Sequence, residues 1–273
     1  MTIPKFQKTI LTWYSQNKRD LPWRNTKNPY RIMVSEIMLQ QTQVSRVLPK
    51  YKEFLQAFPT IQALAESNDA DLLKIWSGLG YWRRARFLKE TCKEIIKSHN
   101  GKFPKDIPTL ISLPGIGPYT AGAIACFAFG NSSAFIDTNI RRVYLHFFFA
   151  DKKDVQDSDI IKIAKKAVPK DNPRDWHWAL FDYGALVLKD KKINLKSRHY
   201  AKQSKFLGSF RSYRAHALRF LLATEKKQVK KDALEEYLED LLRKDERDFS
   251  PGEILDSLEQ DKLIIREKNI VRI

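Results

Sequence analysis

Cysteine is nearly absent from this chain: only Cys92 and Cys126 occur in 273 residues, each inside an apolar helical pattern. A disulfide framework and a cysteine-ligated metal centre are therefore not expected, and buried free thiols fit a reducing compartment. Long apolar runs are missing as well. Those around Ala121–Phe129 and Phe147–Ala150 fall well short of the roughly 18 residues that a membrane helix needs, and Met1–Leu11 lacks the apolar core of a secretory signal. A soluble, intracellular protein is the expectation. Alternating strand patterns are absent until the last residues, and no repeat or low-complexity tract is present. The last deficit is in acidic residues, 32 against 49 Lys and Arg, a formal net charge of +17. Such an excess repels itself and attracts polyanions, so nucleic acid is the first partner to expect, against the plainer alternative of a solvated lysine surface.

What is present is mostly helix signal. With 43% hydrophobic residues a proper core can form, and the length predicts two compact units with room for a small appendage. An early amphipathic segment stops at Leu21-Pro22-Trp23-Arg24. Helices are predicted over Tyr30–Gln41, Val44–Phe58, Asp69–Trp76, Arg83–Lys97 and, briefly, Thr109–Leu113. The next one starts at Pro118, a favoured first position, and ends at Gly130, a favoured terminator. Thr138–Phe149, Ile160–Ala167 and Pro173–Leu188 continue the pattern. Lys189–Arg214 turns basic and polar, with interspersed aromatics. The tail then predicts a helix over Asp232–Leu242, a second opened by the Ser250-Pro251-Gly252-Glu253 cap, and a hairpin over Leu263–Arg266 and Ile270–Ile273. That order fits either a small winged-helix module or a plain helical appendage.

Several stretches carry chemistry. Tyr30–Leu39 is apolar on most sides, so Glu36 is a carboxyl in a poor solvent, and desolvation raises its pKa toward an acid-competent form. The plainer alternative is a Glu paired with a buried Arg. Gln40, Gln41, Thr42 and Gln43 follow directly, amides and a hydroxyl suited to base edges or simply to a polar helix end. In Leu113-Pro114-Gly115-Ile116-Gly117-Pro118-Tyr119-Thr120, Gly115 and Gly117 sit between two predicted helices. There their N–H groups and the following helix N-terminus can hold a phosphate without reading sequence; a tight turn without ligand is the alternative. Asp137 stands where a helix begins, as an N-cap whose hydrogen bonds are expected to keep it ionised. A protonatable Glu36 and an ionised Asp137 form the acid and anion that glycosidic cleavage requires. Tyr81-Trp82-Arg83-Arg84-Ala85-Arg86 mixes aromatics that can wedge into or stack on bases with arginines that can hold phosphates, with a structural role expected for at least one of Trp82 and Arg84.

Taken together, Arg19–Arg24, Ser35–Gln43, Gly78-Leu79-Gly80-Tyr81, Leu113–Gly122 and Asp137-Thr138-Asn139 make the chain resemble the MutY-type adenine DNA glycosylases of the helix-hairpin-helix superfamily, from about Trp13 to Tyr213. The resemblance implies an all-α, two-lobed fold. Residues 1–24 and 131–214 would form one lobe, 25–130 a six-helix lobe with the helix-hairpin-helix, and 215–273 a small C-terminal module, winged-helix-like or helical. DNA would lie between the lobes. It also implies roles. Glu36 matches the general acid and Asp137 the carboxylate facing the sugar cation, while Tyr119 and Asn139 match residues that support them. Tyr119 further stands where bifunctional relatives carry a lysine nucleophile, so a monofunctional hydrolase is expected. Gln41 and Tyr81 match residues that enter the base stack, and Arg19, Leu21, Trp23 and Arg24 match the edge of the adenine pocket. Gln40, Thr42, Gly115, Gly117 and Thr120 complete the expected DNA-contacting set.

The implied partner is double-stranded DNA with a mismatched adenine, opposite guanine or 8-oxoguanine, bound by a monomer in the cytoplasm at the nucleoid. A thymine or uracil mismatch glycosylase, and a non-catalytic DNA-binding scaffold, are the alternatives. Two departures stand out. The four cysteines that hold an iron–sulfur cluster in relatives correspond to Leu188, Leu195, Arg198 and Ser204, so no cluster is expected, and packing must hold the Lys189–Ser204 loop. The tail after Arg214 is too short for the larger domain that reads 8-oxoguanine in many relatives. A monovalent cation at the hairpin is the one remaining cofactor expectation.

Overall fold

The computed structural model describes residues 1–202 and 204–273 and consists chiefly of helices. In chain order they are α1 (Ile3–Asn17), α2 (Pro29–Leu39), α3 (Val44–Ala57), α4 (Ile61–Ala65), α5 (Asp69–Trp76), α6 (Arg83–His99) and α7 (Ile107–Ser112). There follow α8 (Pro118–Phe129), α9 (Thr138–Phe148), α10 (Asp157–Ala167), α11 (Pro173–Leu186), α12 (Phe210–Ala223), α13 (Lys231–Lys244) and α14 (Pro251–Gln260). Two 3-10 turns, Pro22–Arg24 and Lys191–Lys196, and three short strands, β1 (Gln228–Lys230), β2 (Ile265–Glu267) and β3 (Ile270–Arg272), complete the described elements. The all-helical expectation holds, and most predicted helices fall within one to three residues of those observed. The sequence pattern missed α4, α12 and β1.

The chain divides into two compact units, Met1–Ile37 with Lys97–Lys202, and Met38–Ile96 with Gln203–Ile273. In the first, α1 packs on α11 and α11 on α9. Phe6 anchors that contact, its ring 5.0–5.4 Å from those of Tyr144, Phe147, Phe148 and Trp176. Two glycines allow the backbones of this unit to close on each other. A Cβ at Gly122 of α8 would meet Phe135 Cβ at 2.7 Å, and one at Gly184 of α11 would meet the Asn139 carbonyl oxygen at 2.4 Å. Both approaches fix the segment that carries Asp137.

In the second unit α3 packs on α5, with Phe54 meeting the ring of Trp76 at 6.0 Å. The C-terminal elements run helix, strand, helix, helix, strand, strand, from α12 to β3, with the antiparallel sheet order β1-β3-β2. Val271 of β3 lies opposite both Val229 and Arg266. This is the winged-helix order rather than a plain helical appendage. Its core is drawn from Leu234 and Leu238 of α13, Ile254, Leu255 and Leu258 of α14, and Val271. The predicted capping box is present: Ser250 accepts from the Glu253 N–H, and Glu253 accepts from the Ser250 N–H.

Candidate active site

Glu36 lies on α2, surrounded along the helix by the buried Ile32, Met33, Val34 and Ile37, and is itself only 4% exposed. Burial pushes its pKa from 4.5 to about 7. The Tyr119 hydroxyl donates to Oε2 at 2.5 Å and pulls the other way, Asp137 pushes up by repulsion, and Arg24 pulls down by attraction. Three side chains thus act on one carboxyl, all within the first unit. Tyr119, in the first turn of α8, has its own pKa raised well above the usual phenol value by burial and by the nearby carboxylates, so it remains a donor. Its ring meets Phe135 and Phe181 edge-on at 5.8 and 6.3 Å, which fixes the direction of the hydroxyl.

Asp137 caps α9, as its position before Thr138 predicts. Oδ1 accepts from the Ile140 N–H at 2.7 Å and Oδ2 from the Asn139 amide at 3.1 Å. The cap forms as expected, and burial works against it. Burial raises its pKa; the bonds from Ile140 and Asn139 and the charge of Arg141 lower it, and burial outweighs them. Asn139 therefore supports the carboxylate directly, by donating to it.

Arg19 and Arg24 meet on a partner that the sequence reading missed. Asp182 of α11 is fully buried and receives both guanidinium groups, Arg19 at 2.6 Å and Arg24 through two bonds of 2.8 Å. Burial alone would raise the Asp182 carboxyl, but Arg24 first and then Arg19 hold it below the usual range. The signal was available: Trp178-Ala179-Leu180-Phe181-Asp182 places an acid in an apolar run, as at Glu36. Arg24 also lies over the ring of Trp178 at 5.5 Å. Leu21 and Trp23 are buried in the core beside this cluster.

The hairpin between α7 and α8 is pinned by the buried Leu110, Leu113 and Ile116, while Gly115 and Gly117 are exposed. Gly115 has φ of +72°, a conformation that L side chains rarely adopt. Gly117 caps α8 and Pro118 opens it. The hairpin carbonyls of Leu113 and Gly117 accept from the Ile116 and Ala121 N–H groups. Thr120, predicted at the DNA surface, is only 2% exposed.

Gln40, Gln41, Thr42 and Tyr81 belong to the second unit. Gln41 and Tyr81 both have positive φ, 52° and 47°, and Gly78 and Gly80 flank the same turn with φ of 95° and 71°. Arg84 ties the two loops together. Its guanidinium donates to the carbonyls of Met38, Gln40, Leu79 and Gly80 and to the Thr42 hydroxyl. Both Arg84 and Trp82 are buried, in keeping with the structural role expected for at least one of them. Tyr81 stays partly exposed and Gln41 exposed.

The residues that correspond to cluster ligands do not fit an iron–sulfur centre. Leu188 is buried, Leu195 is 58% exposed, Arg198 pairs with Asp154, and Ser204 accepts from Arg211. The two cysteines lie in α6 and α8, and no group of three or more potential His, Cys, Asp or Glu ligands occurs among the described residues. The loop is tied by other means. Arg142 of α9 donates to the carbonyls of Gly184 and Leu188 at 2.8 and 3.2 Å and to Asn194 Oδ1 at 3.3 Å. Val155 and Ser197 form a parallel bridge.

Residues 34–170 match the family model described as HhH-GPD superfamily base excision DNA repair protein. The adenine DNA glycosylase of Buchnera aphidicola subsp. Baizongia pistaciae (strain Bp) is 41% identical over 192 residues, 68% of this chain and 54% of that one. The adenine DNA glycosylase of Mycobacterium tuberculosis (strain CDC 1551 / Oshkosh) is 47% identical over 135 residues, 49% and 44% of the two chains. The chain spans about half the length of these curated relatives. Among solved structures, a thermostable thymine-DNA glycosylase aligns with a TM-score of 0.63 at 29% identity, over 70% of this chain and 89% of that chain.

Proposed function

The chain belongs to the HhH-GPD superfamily of base excision DNA repair proteins, and from that membership we propose that it hydrolyses the N-glycosidic bond of adenine mispaired in double-stranded DNA. The observation that carries the proposal is Glu36, a carboxyl with a pKa near 7 that a phenol orients and a second carboxyl faces electrostatically. At that pKa the group is protonated in part of the population at neutral pH and can deliver a proton to an acceptor of the bound base. Adenine offers such an acceptor at ring nitrogen N7. Protonation there draws electrons out of the bond between the sugar C1′ and the base N9; the base leaves with the bonding pair, and a cationic sugar remains. Asp137, held by Ile140 and Asn139, supplies the negative charge that stabilises this cation. Water then attacks C1′, loses its proton, and an abasic site remains. Position 119 is a phenol and not an amine, which supports hydrolysis without a Schiff base.

Extruding the adenine costs unstacking energy, least at a mismatch. The exposed Gly115–Gly117 backbone and the excess of basic residues support binding through phosphates. One second reading has an observation behind it: the thymine-DNA glycosylase among the similar structures. Glu36 weighs against it, because a pyrimidine presents no ring nitrogen equivalent to N7.

Glu36→Gln tests the assignment. The variant is expected to bind mismatched duplex like the parent while base release slows by about 10²–10⁴-fold, the usual worth of a general acid. Release at the parent rate would remove Glu36 from the chemistry.

A further inference from the structure

The C-terminal winged-helix module presents a contradiction of charge. In helix-turn-helix proteins the recognition helix enters the major groove and reads base edges with donors and cations. The corresponding helix here, α14, carries Glu253, Asp256 and Glu259 and no Lys or Arg. Over residues 203–273 there are 15 Lys and Arg against 14 Asp and Glu, whereas residues 1–202 have 34 against 18. A nearly neutral module with an acidic third helix is poorly suited to a polyanion.

Its contacts run instead to the Gly78–Arg86 segment of its own unit. Arg86 donates to the carbonyls of Asp261 and Lys262, just past α14, at 3.2 and 2.6 Å. At the start of α12, Arg211 donates through Nη1 to the Tyr81 hydroxyl at 2.7 Å and through Nη2 to the Ser204 carbonyl and hydroxyl at 2.9 and 3.1 Å. The Tyr81 ring carries a guanidinium on two accounts, with Arg84 5.4 Å and Arg211 5.7 Å from its centroid. A partly exposed aromatic side chain is therefore held at both ring and hydroxyl, on a backbone already set at φ of +47°.

We propose that the module is a bracket for the Gly78–Arg86 loop rather than a reader of DNA, and that Arg211 is the positioning residue that aims Tyr81 as a wedge into mismatched duplex. The proposal rests on the DNA-repair reading above. A side chain that wedges between bases must repay unstacking, and one fixed in its inserting conformation loses less freedom on binding. Arg211 supplies that fixation through a charge-assisted bond to the hydroxyl, at the end of the side chain away from the backbone. Selectivity for a weakened step then depends on a residue that touches no nucleotide.

The test uses the full chain and two duplexes of one sequence, fully matched or with a single A opposite G. The readout is the ratio of the two binding constants for the parent, Arg211→Ala, Tyr81→Phe and the double variant. Tyr81→Phe keeps the ring and removes only the acceptor of the Arg211 bond, so it remains informative if Arg211→Ala folds poorly. Each single variant is expected to lower the ratio about tenfold, and the double variant to fall no further, because both remove the same contact. A parent-like ratio in Arg211→Ala, or losses that multiply in the double variant, overturns the positioning role. A parent that binds both duplexes equally overturns the DNA-repair reading itself, and is distinguishable because the variants are then not needed to see it.

Discussion

Burying Glu36 among Ile32, Met33 and Ile37 has a thermodynamic signature that can be measured without any substrate. Its pKa is 4.5 in the unfolded chain and about 7 in the folded one, so between these values the folded chain keeps a proton that the unfolded chain has lost. The contribution of Glu36 to stability is therefore fully present below pH 4.5, declines as pH rises, and is lost above pH 7. The swing is at most about 3 kcal/mol. Glu36→Gln cannot titrate, so thermal unfolding at a series of pH values should show the variant gaining on the parent between pH 4.5 and 7; parallel curves would contradict the raised pKa. A second residue-scale prediction concerns Asp182. Replacing it by Asn leaves Arg19 and Arg24 with a neutral partner in the interior, which costs about 3–5 kcal/mol in a denaturant titration. A loss below about 1 kcal/mol would mean that solvent reaches the pair. Both acids were legible as carboxyls in apolar runs. What could not be read was the partner, because Arg24 and Asp182 are 158 positions apart and nothing local links them.

At the scale of elements, the site depends on two close approaches. Gly184 lets α11 lie against the Asn139 carbonyl, and Gly122 lets α8 lie against Phe135, the two sides of Asp137. Gly184→Ala would put a Cβ 2.4 Å from a backbone oxygen, and backbone cannot move aside as a flexible side chain can. The expected cost is about 1–3 kcal/mol of stability and roughly tenfold or more in base release, because a displaced α9 misaims Asp137. Unchanged release in a folded Gly184→Ala variant would separate that approach from the chemistry. Helix ends were the most legible feature: Pro118 and Gly130 bound α8, with Gly130 at φ of +74°, and Asp137 and Ser250 cap their helices as expected. The misses have physical causes. Helix α12 was hidden because Arg211, Arg214 and Arg219 give it a polar surface, and the partners of Arg211 and Arg214, namely Tyr81, Ser204 and Asp261, lie outside the helix. Strand β1 has three residues and exists only through its pairing with β3.

Over the whole molecule, the charge is divided unevenly. Sixteen of the seventeen net positive charges lie in residues 1–202, so phosphate contacts and salt sensitivity are expected to come from there. With five or more phosphates neutralised, the logarithm of the binding constant should fall against the logarithm of salt with a slope of about −4.5 or steeper. Exchanging Lys262 and Lys268 of the C-terminal module for Gln should leave that slope within about one unit. A flat response in the parent would contradict phosphate-led binding, and a large change in the Lys variant would contradict the bracket role of the module. Composition made the basic excess visible at once; its confinement to one part of the chain matters only once the winged-helix order of the tail is known. The central claim remains that a protonated Glu36 releases adenine from a mispair. It is tested most directly by single-turnover reactions followed by alkaline strand scission, on duplexes carrying A opposite G, A opposite 8-oxoguanine, T opposite G and U opposite G, with the parent and Glu36→Gln. The account predicts cleavage at the adenine strands by the parent, falling in rate as pH rises above about 7, and little or none by the variant. Cleavage confined to the T or U strands, or equal cleavage by both proteins, would contradict it.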